Sequence, residues 1–348
     1  MTRQALDLAV FPGHHQPIYR QIAEQIARAI TARTLAPGDH LTPYRELAEL
    51  LVVSPLAVRK AYEDLVAEGL CADAGGGDLR VAAPPQGEPS PAAAPDPRLS
   101  LRELQLAREV QCRLLPPAVV TGEGFEVAAR NYPARIVAGD FYDVIHQEDG
   151  SVGVVVADVA GKGFGPSLIM ATVKAVMPFV AVAAAAGGGG GVEETLRELN
   201  RRLHADLDRR EFVALAYARL DPGNGRVRFA DAGLPSPVLL RRGEDPAELE
   251  VGGSRLPLGL RPQIAYRAAE ITLGRGDRLL FYTDGIPEAP TAGGELLGYR
   301  ALSRLVRSAH REGEGLDAER WLDALLDRVG EATATPADDW TAVVIERT

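Results

Sequence analysis

The 348-residue sequence contains only two cysteines, Cys71 and Cys112. Two such residues cannot build a disulfide framework, and neither has a nearby cysteine or a metal-type spacing. Long apolar segments are also lacking. The longest nearly apolar run, residues 175–186, covers 12 residues, too few to span a bilayer, and residues 1–10 have no apolar core of signal-peptide length. We therefore expect a cytoplasmic protein that is neither exported nor inserted in a membrane.

The sequence also lacks an excess of positive charge. It has 48 acidic and 38 basic residues, a formal net charge of −10. This balance opposes wholesale electrostatic binding to nucleic acid or to an anionic membrane, but it permits an acidic cluster that binds cations. Because 46% of the residues are hydrophobic and 25% are charged, we expect an ordinary globular protein with a packed core.

Proline is concentrated in one stretch. Residues 84–97 contain six prolines in 14 positions, which excludes a helix or a central strand there and favours an extended spacer. The chain is about twice as long as one typical domain. We therefore predict a small N-terminal domain over residues 1–83, a proline-rich linker over 84–98, and a larger C-terminal part.

The N-terminal part has the pattern of a winged helix-turn-helix. One buried helix face is indicated by isoleucine at every fourth position: Ile18, Ile22, Ile26 and Ile30. A short helix is predicted over residues 44–51. A third begins at Ser54, a good N-cap followed by proline, and ends at Gly69. Residues 71–83 then predict two short strands around three glycines.

Four segments here resemble the gluconate-repressor (GntR) winged-helix family over roughly residues 16–83: PIYRQIAEQIARAI, LAPGDHL, YRELAELLVVS and AVRKAYEDLVAEGL. The family usually has an arginine and a threonine early in the recognition helix, where this chain has Pro55 and Ala57. Base edges are read by that part of the helix, so we expect weak DNA binding without strong sequence preference. The candidate DNA contacts are Arg45, Ser54, Arg59 and Lys60. Solvated surface cations are the alternative interpretation.

The C-terminal part alternates strand-like and helical segments, which predicts an α+β fold. An amphipathic helix is predicted over residues 99–115, closed by two prolines. Strands are predicted over residues 151–157, 212–220, 226–231, 278–283 and 340–346. Further helices are predicted over residues 168–180, 192–209 and 318–329, the last capped by Asp317 and stopped by Gly330.

Four aspartates stand at strand ends or in adjacent turns: Asp140, Asp158, Asp284 and Asp338. Any one aspartate beside a glycine is more often a turn residue than a ligand. Four in one domain favour a metal site, because hard divalent cations bind oxygen ligands and four carboxylates balance two such ions.

The segments around these aspartates resemble the bacterial metal-dependent protein phosphatases of type 2C, in the sporulation stage II and sigma-regulation subfamily. The matching text includes ELQLAREVQCRLLPP, YPARIVAGDFYDV, VADVAGKGFGPSLIMATV, GDRLLFYTDGIPEA and DDWTAVVIE, over about residues 101–347. The resemblance implies an α-β-β-α sandwich over residues 118–348, preceded by a regulatory linker helix over 99–117. It also implies two Mn²⁺ or Mg²⁺ ions and a metal-activated water that hydrolyses phosphoserine or phosphothreonine.

Residue roles follow from the same resemblance. Asp158 would bridge both ions, with Asp140 and the Val159 carbonyl at one ion and Asp284 and Asp338 at the other. Asp339 is the alternative to Asp338. The resemblance gives Arg135 as a phosphate contact and an anti-sigma-factor antagonist as the phosphoprotein substrate.

Two departures from the family pattern and one rival function remain. The family's Asn-Ala-Gly-His is replaced by a segment that begins at Asp231 and ends at Leu234, and its double glycine by Ala138 and Gly139. The rival is a DNA-binding regulator whose C-terminal domain binds a phosphoprotein or metal without turnover. Since all four aspartates are intact, catalysis is favoured. The apolar stripe of the helix over 99–115 further predicts a homodimer.

Overall fold

The computed structural model describes residues 17–31, 34–51, 53–73, 79–82, 97–186, 191–208, 210–334 and 337–348. Nearly all of the predicted proline-rich linker lies outside these residues. The chain divides into two compact units, Met1–Ala94 and Pro95–Thr348, which we call the N-terminal and C-terminal units and describe separately.

The described part of the N-terminal unit is a winged helix-turn-helix, as predicted. Its elements are α1 (Ile18–Thr31), α2 (Tyr44–Leu51), α3 (Pro55–Ala67), β1 (Cys71–Asp73) and β2 (Leu79–Val81), with the two strands paired antiparallel. The Ser54 hydroxyl accepts a hydrogen bond from the Leu56 amide at 3.2 Å and so caps α3. Ile22 and Ile26 are fully buried beside Cys71 in the core of this unit.

Five helices and eleven strands make up the described part of the C-terminal unit. The helices are α4 (Pro97–Leu114), α5 (Phe164–Ala186), α6 (Val192–Asp206), α7 (Gly298–Glu312) and α8 (Ala318–Ala332). The first strands are β3 (Val119–Gly122), β4 (Phe125–Tyr132), β5 (Phe141–His146), β6 (Val152–Val159), β7 (Val213–Asp221) and β8 (Arg226–Ala232). The remaining strands are β9 (Val238–Leu240), β10 (Ala247–Glu248), β11 (Ala268–Thr272), β12 (Arg278–Tyr282) and β13 (Trp340–Glu346).

The strands form two antiparallel sheets that pack face to face. One has the order β10-β9-β12-β13-β4-β3 and the other the order β11-β8-β7-β6-β5. Side chains such as Val127, Val154 and Val343 fill the space between them. The outer face of the five-stranded sheet is covered by α5 and α6, and that of the six-stranded sheet by α7 and α8. The predicted α-β-β-α sandwich is therefore confirmed.

Among the described helices, α5 alone is long and apolar enough to span a membrane by length and composition. Its segment is longer than the apolar run identified in the sequence because the residues before position 175 are also largely apolar. Met170, Val173 and Met177 are fully buried against the five-stranded sheet. These contacts are those of a core helix of the sandwich.

Several helix boundaries differ from the prediction: α5 spans Phe164–Ala186 instead of 168–180, and α6 ends at Asp206 instead of 209. The helix α4 begins at Pro97, two residues early, because proline suits the first position of a helix. The predicted stop of α8 at Gly330 is wrong, since the helix continues to Ala332. Val329 is fully buried and its carbonyl accepts a hydrogen bond from the Thr333 hydroxyl at 2.7 Å, so tertiary packing keeps the glycine within the helix.

Candidate active site

Strand pairing brings the four predicted aspartates together in two pairs. Phe141 pairs with Ala157 across β5 and β6, so Asp140 and Asp158 continue this register as neighbours at the end of the five-stranded sheet. Tyr282 pairs with Ala342 across β12 and β13, and Asp284 and Asp338 lie just beyond these residues at the end of the six-stranded sheet. One edge of the sandwich thus carries acidic side chains from both sheets.

Asp140 links the two sheets. Its side chain is buried, and one carboxylate oxygen accepts a hydrogen bond from the Thr283 hydroxyl at 2.7 Å. The Thr283 hydroxyl in turn accepts a hydrogen bond from the Thr341 amide at 3.0 Å. The Asn131 side-chain amide donates to the Asp140 carbonyl at 3.3 Å and to the Thr341 hydroxyl at 2.8 Å. These bonds fix the carboxylate relative to β12 and β13.

Burial, together with neighbouring acidic charges, raises the pKa values of three of these carboxylates. The pKa of Asp140 lies well above its usual range, because of burial first and then the charges of Asp158 and Asp339. Burial and the charge of Asp284 raise the pKa of Asp158 to about 7, against a hydrogen bond with Asp140. The pKa of Asp284 is also raised, mainly by burial and by the charge of Glu288. Crowded, partly buried carboxylates of this kind favour a cation among them.

The neighbouring acids Asp338 and Asp339 have different surroundings. Asp339 accepts hydrogen bonds from the Ala134 amide at 2.7 Å and the Gly139 amide at 2.8 Å, one on each oxygen. It therefore holds the loop that leads into Asp140. The Asp338 side chain is 36% exposed, and its Oδ2 lies 2.7 Å from the Lys162 ammonium nitrogen. This arrangement favours Asp338 over Asp339 as a metal ligand.

Two glycines allow the backbone to approach closely at this edge. A Cβ atom at Gly139 would lie 2.9 Å from the Val159 carbonyl oxygen, and one at Gly285 would lie 2.0 Å from the Asp339 carbonyl oxygen. Ala138 is fully buried and its methyl group is accommodated. The family pattern has two glycines at positions 138 and 139. In this chain only position 139 leaves no room for a side chain, so glycine is needed there.

Gln111, which sequence reasoning missed, connects α4 to this edge. The side chain is buried; its amide donates to the Ala138 carbonyl at 2.8 Å, and its carbonyl accepts from the Ala138 amide at 2.9 Å. Ala138 is two residues before Asp140. The sequence offered one signal for this role: Gln111 directly follows Val110, which belongs to the apolar stripe of the predicted amphipathic helix.

Asp231, the first departure from the family pattern, forms a buried ion pair. The Arg255 Nε donates to Asp231 Oδ2 at 2.6 Å, and the Leu234 amide donates to Asp231 Oδ1 at 2.9 Å. Burial raises the pKa of Asp231 to about 6, although the charge of Arg255 opposes the shift. The departure therefore places a buried carboxylate in contact with Arg255 and with the loop after β8.

The remaining predicted residues lie outside the aspartate cluster or at its border. Arg135 is exposed, with Nη1 3.8 Å from the position that a Cβ at Gly163 would occupy, so it lies beside the loop after Asp158. In α3, Arg59 pairs with Glu63 at 3.3 Å. The Lys60 ammonium lies 4.3 Å from the centre of the Tyr19 ring.

These placements rank the DNA-contact candidates. Lys60 is half-buried with its ammonium over the Tyr19 ring, and the Ser54 hydroxyl is used as a helix cap, so neither is freely presented to a phosphate. Arg45, at the start of α2, is exposed, with its guanidinium 5.7 Å from the centre of the Tyr44 ring. Arg45 and Arg59 are therefore the stronger candidates.

The donor set at the sheet edge fits a hard divalent cation in its chemistry. Asp140, Asp158, Asp284 and Asp338 offer only oxygen, which Mg²⁺ and Mn²⁺ prefer. Within the part of the chain that the structure describes, no three His, Cys, Asp or Glu side chains converge on a single coordination point. At Asp338 an ammonium group already contacts the carboxylate.

Comparison with known proteins gives a family match for each of the two units. Residues 148–348 match the family model described as stage II sporulation protein E (SpoIIE), and residues 18–77 match that of the bacterial regulatory proteins of the gntR family. The phosphoserine phosphatase RsbU of Bacillus subtilis is 27% identical over 194 residues, 56% of this chain and 56% of the relative. The HTH-type transcriptional repressor YtrA of the same organism is 36% identical over 63 residues, 18% of this chain and 48% of the relative.

Solved structures share the fold of the C-terminal unit. The RsbU and RsbW domains of Rv1364c from Mycobacterium tuberculosis are 25% identical with a TM-score of 0.55, over 66% of this chain and 62% of that chain. The SiaA-PP2C domain of Pseudomonas aeruginosa is 22% identical with a TM-score of 0.59, over 72% of this chain and 98% of that chain.

The chain spans about half the length of the curated relatives that it matches in this unit, 56% of RsbU and 46% of RsbP of B. subtilis. The SpoIIE match nevertheless covers more than half of this chain. The chain therefore belongs to the SpoIIE family, with a SpoIIE-type PP2C phosphatase domain that follows a gntR-type helix-turn-helix domain.

Proposed function

We propose that the protein is a phosphoprotein phosphatase that uses Mn²⁺ or Mg²⁺ to hydrolyse phosphoserine or phosphothreonine. The observation that carries the proposal is that the strand register brings Asp140 beside Asp158 at the end of one sheet, while Asp284 and Asp338 lie near each other at the end of the other sheet, on the same edge of the sandwich. The raised pKa values of Asp140, Asp158 and Asp284 indicate a need for compensating positive charge. The names of RsbU and RsbP, phosphoserine phosphatases, support the same reaction.

In this proposal the chain's own residues hold and orient the reacting groups. Asp158 would contact both ions, Asp140 and the Val159 carbonyl would complete one site, and Asp284 and Asp338 the other. When bound, two such ions supply an activated water for attack on phosphorus and neutralise developing charge. Arg135 would orient the phosphate from the loop side. Asp339 and Thr283 would keep Asp140 in place through the hydrogen bonds described above.

We further propose a phosphorylated signalling protein in sigma-factor regulation, an anti-sigma-factor antagonist, as the substrate. The family membership and the relationship to RsbU support this class of partner. A cytoplasmic location is in keeping with two unpaired cysteines and with the packing of α5 in the sandwich core.

Phosphate release from a phosphoserine peptide tests the reaction. Turnover should require Mn²⁺ or Mg²⁺ and stop with chelator. Asp158→Asn should lower turnover on the order of a hundredfold and more than Asp140→Asn, because a bridging ligand serves two ions. The matched control is Asp149→Asn, since Asp149 lies at the other end of the β5–β6 hairpin, where it pairs with Arg219. Turnover in chelator contradicts the proposal. A folded protein that binds metal without turnover favours the non-catalytic regulator.

For the N-terminal unit we propose weak DNA binding that depends on salt and little on sequence. The first turn of α3 presents Leu56, which is 49% exposed, between Pro55 and Ala57, where the family usually has an arginine and a threonine. Contacts limited to Arg45, Arg59 and the backbone would be made mainly to phosphates, so the affinity would be weak and would fall as the salt concentration rises. Nanomolar binding to one operator at physiological salt, lost in Arg59→Ala, would contradict this proposal.

A further inference from the structure

Lys162 is held against the acidic edge by the loop that follows Asp158. Gly161 and Gly163 flank it with φ angles of +99° and +95°, values that few residues other than glycine adopt. The Lys162 ammonium lies 2.7 Å from Asp338 Oδ2 and also donates to the Ala337 carbonyl at 2.7 Å. One side chain therefore bonds both the carboxylate and the backbone of the segment that leads into β13.

This pair differs from the other lysine–aspartate pair of the C-terminal unit. Lys174 and Asp143 lie 2.8 Å apart with side chains only 14% and 8% exposed, so their separation would leave charges in the protein interior. The side chains of Lys162 and Asp338 are 40% and 36% exposed. Since water can solvate both of these groups, the Lys162–Asp338 pair can open at low cost.

A divalent cation and the Lys162 ammonium make competing demands on Asp338. Both are positive, and both are attracted by the Asp338 carboxylate. If both contacted it at once, only that carboxylate group would separate them, and they would repel each other. The ammonium of lysine is a compact point charge on a flexible stem, which can leave without moving the backbone. Thr283 and the backbone amides hold Asp140 and Asp339 with neutral donors and set up no such competition.

We propose that Lys162 is a positioning residue that competes with the second divalent cation for Asp338 and thereby sets the metal concentration that the enzyme requires. The proposal rests on the proposed function, because it assumes that Asp338 is a metal ligand. At low metal concentration the Lys162 ammonium stays on Asp338 and opposes binding of the cation that Asp284 and Asp338 would hold. It moves off Asp338 when the cation binds.

Calorimetric titration of the full-length protein with Mn²⁺, without substrate, tests the proposal. The relevant binding step is the one that Asp338→Asn removes. In Lys162→Gln the Kd of that step should fall about tenfold, because a competing charge is lost, while the step that survives in Asp338→Asn changes less than twofold. Lys162→Arg, which keeps the charge, should bind Mn²⁺ like the wild type.

The matched control is Arg242→Gln. It removes one positive charge from an exposed pair with Glu314, and the Arg242 amide contacts Asp277 at the end of β12 opposite Asp284. Its Mn²⁺ affinity should equal that of the wild type, which excludes an effect of net charge. Thermal unfolding of each variant verifies the fold.

The outcomes separate the two proposals. An unchanged or weaker second step in Lys162→Gln overturns the role of Lys162 and leaves the metal site intact. A higher KM for phosphopeptide with unchanged Mn²⁺ affinity also overturns it and indicates a phosphate contact instead. If Asp338→Asn removes no step, Asp338 is not a ligand and the competition does not exist. If the wild type binds no Mn²⁺ and Asp158→Asn changes nothing, the proposed function itself fails.

Discussion

At the scale of single residues, the acidic edge depends on where a side chain is missing as much as on where carboxylates stand. Gly285 follows Asp284 directly, and its α-carbon faces the backbone of Asp339 so closely that no Cβ fits between them. The distance of 2.0 Å is to a main-chain oxygen, which cannot rotate away as a flexible side chain would. Gly285 thus keeps the ends of β12 and β13 in contact.

We therefore expect Gly285→Ala to separate Asp284 from Asp338. Phosphate release should fall on the order of a hundredfold or more, since displacement of a catalytic group by about 1 Å costs that much. The matched control is Gly165→Ala in the first turn of α5, where no atom lies within 4 Å of the added Cβ. Activity measured at several Mn²⁺ concentrations checks the result. Equal activity of the two variants would show that the ends of β12 and β13 shift to accommodate the added methyl group without loss of the site.

A second residue-scale prediction concerns Asp231 and pH. Burial raises its folded-state pKa to about 6 from 3.8, so the unfolded chain ionises first as pH rises. The stabilisation from the protonated carboxyl is complete below about pH 4. It is lost as pH rises to about 6, and the loss is on the order of 3 kcal/mol.

Asp231→Asn cannot ionise and retains an acceptor for the Leu234 amide. Its stability relative to the wild type should therefore increase between pH 4 and pH 6 and remain constant above. Urea unfolding followed by tryptophan fluorescence measures this difference, because Trp321 and Trp340, the two tryptophans of the sequence, both belong to the C-terminal unit. A difference that does not vary with pH would mean that the carboxyl is solvated.

At the scale of elements, α4 is joined to the site by the side chain of Gln111. Its two hydrogen bonds to Ala138 satisfy the backbone groups of a fully buried residue. A buried backbone group left without a partner costs about 1–3 kcal/mol. The segment between Ala138 and Asp140 therefore depends on the position of α4.

Gln111→Leu removes both bonds and should lower kcat for phosphate release about tenfold or more through displacement of the Asp140 loop. Hydrogen exchange at the Ala138 amide should become faster. The matched control is Gln105→Leu, the same substitution at an exposed position of α4, which should alter neither quantity. Unchanged exchange at Ala138 in Gln111→Leu would contradict the coupling.

The sequence predicts features whose causes are local. The isoleucine spacing of α1 and the Ser54-Pro55 start of α3 give correct elements because periodicity and capping act within a few residues. The aspartate motifs correctly predict positions at strand ends. Gly330 shows the limit: its identity predicts a helix end, whereas burial of Val329 continues the helix.

Contacts between distant segments were not predictable in this way. No pattern in the sequence relates Gln111 to Ala138 or Lys162 to Asp338, because these pairs are separated by 27 and 176 positions and meet through the packing of whole elements. The different environments of Asp338 and Asp339 likewise arise from the loop that ends at Gly139. Motif resemblance therefore identifies the carboxylates in the sequence, whereas the residues that contact them are known only from the fold.

At the scale of the whole molecule, α4 leaves apolar side chains uncovered. Leu106, Val110 and Leu114 recur every fourth residue and are 54%, 48% and 40% exposed. The stripe expected from the sequence, at positions 101, 104, 107, 110 and 114, shares Val110 and Leu114 with this row, whereas its members Leu104 and Ala107 are half-buried. A second copy of the chain, with α4 packed against α4, would cover the row, and we therefore propose a homodimer.

Light scattering should then give a mass near twice 37.1 kDa. Leu106→Glu combined with Val110→Glu should yield monomers, since charges at a desolvated helix seam oppose pairing. Because Gln111 lies on the same helix, the phosphatase rate should change as well. The control is Arg102→Glu with Arg113→Glu, which alters charge at exposed positions outside the row. A monomeric wild type would contradict the proposal.

The two cysteines differ enough to give the protein a selective chemical label. Cys71 is 3% exposed in the core of the N-terminal unit, and burial raises its pKa to about 11, so its reactive thiolate is scarce at neutral pH. Cys112 is half-buried on α4, directly after Gln111. A maleimide dye or spin label at pH 7 should therefore attach to Cys112 in the native chain. Distances between two such labels would report the arrangement of α4 in solution without any engineered cysteine.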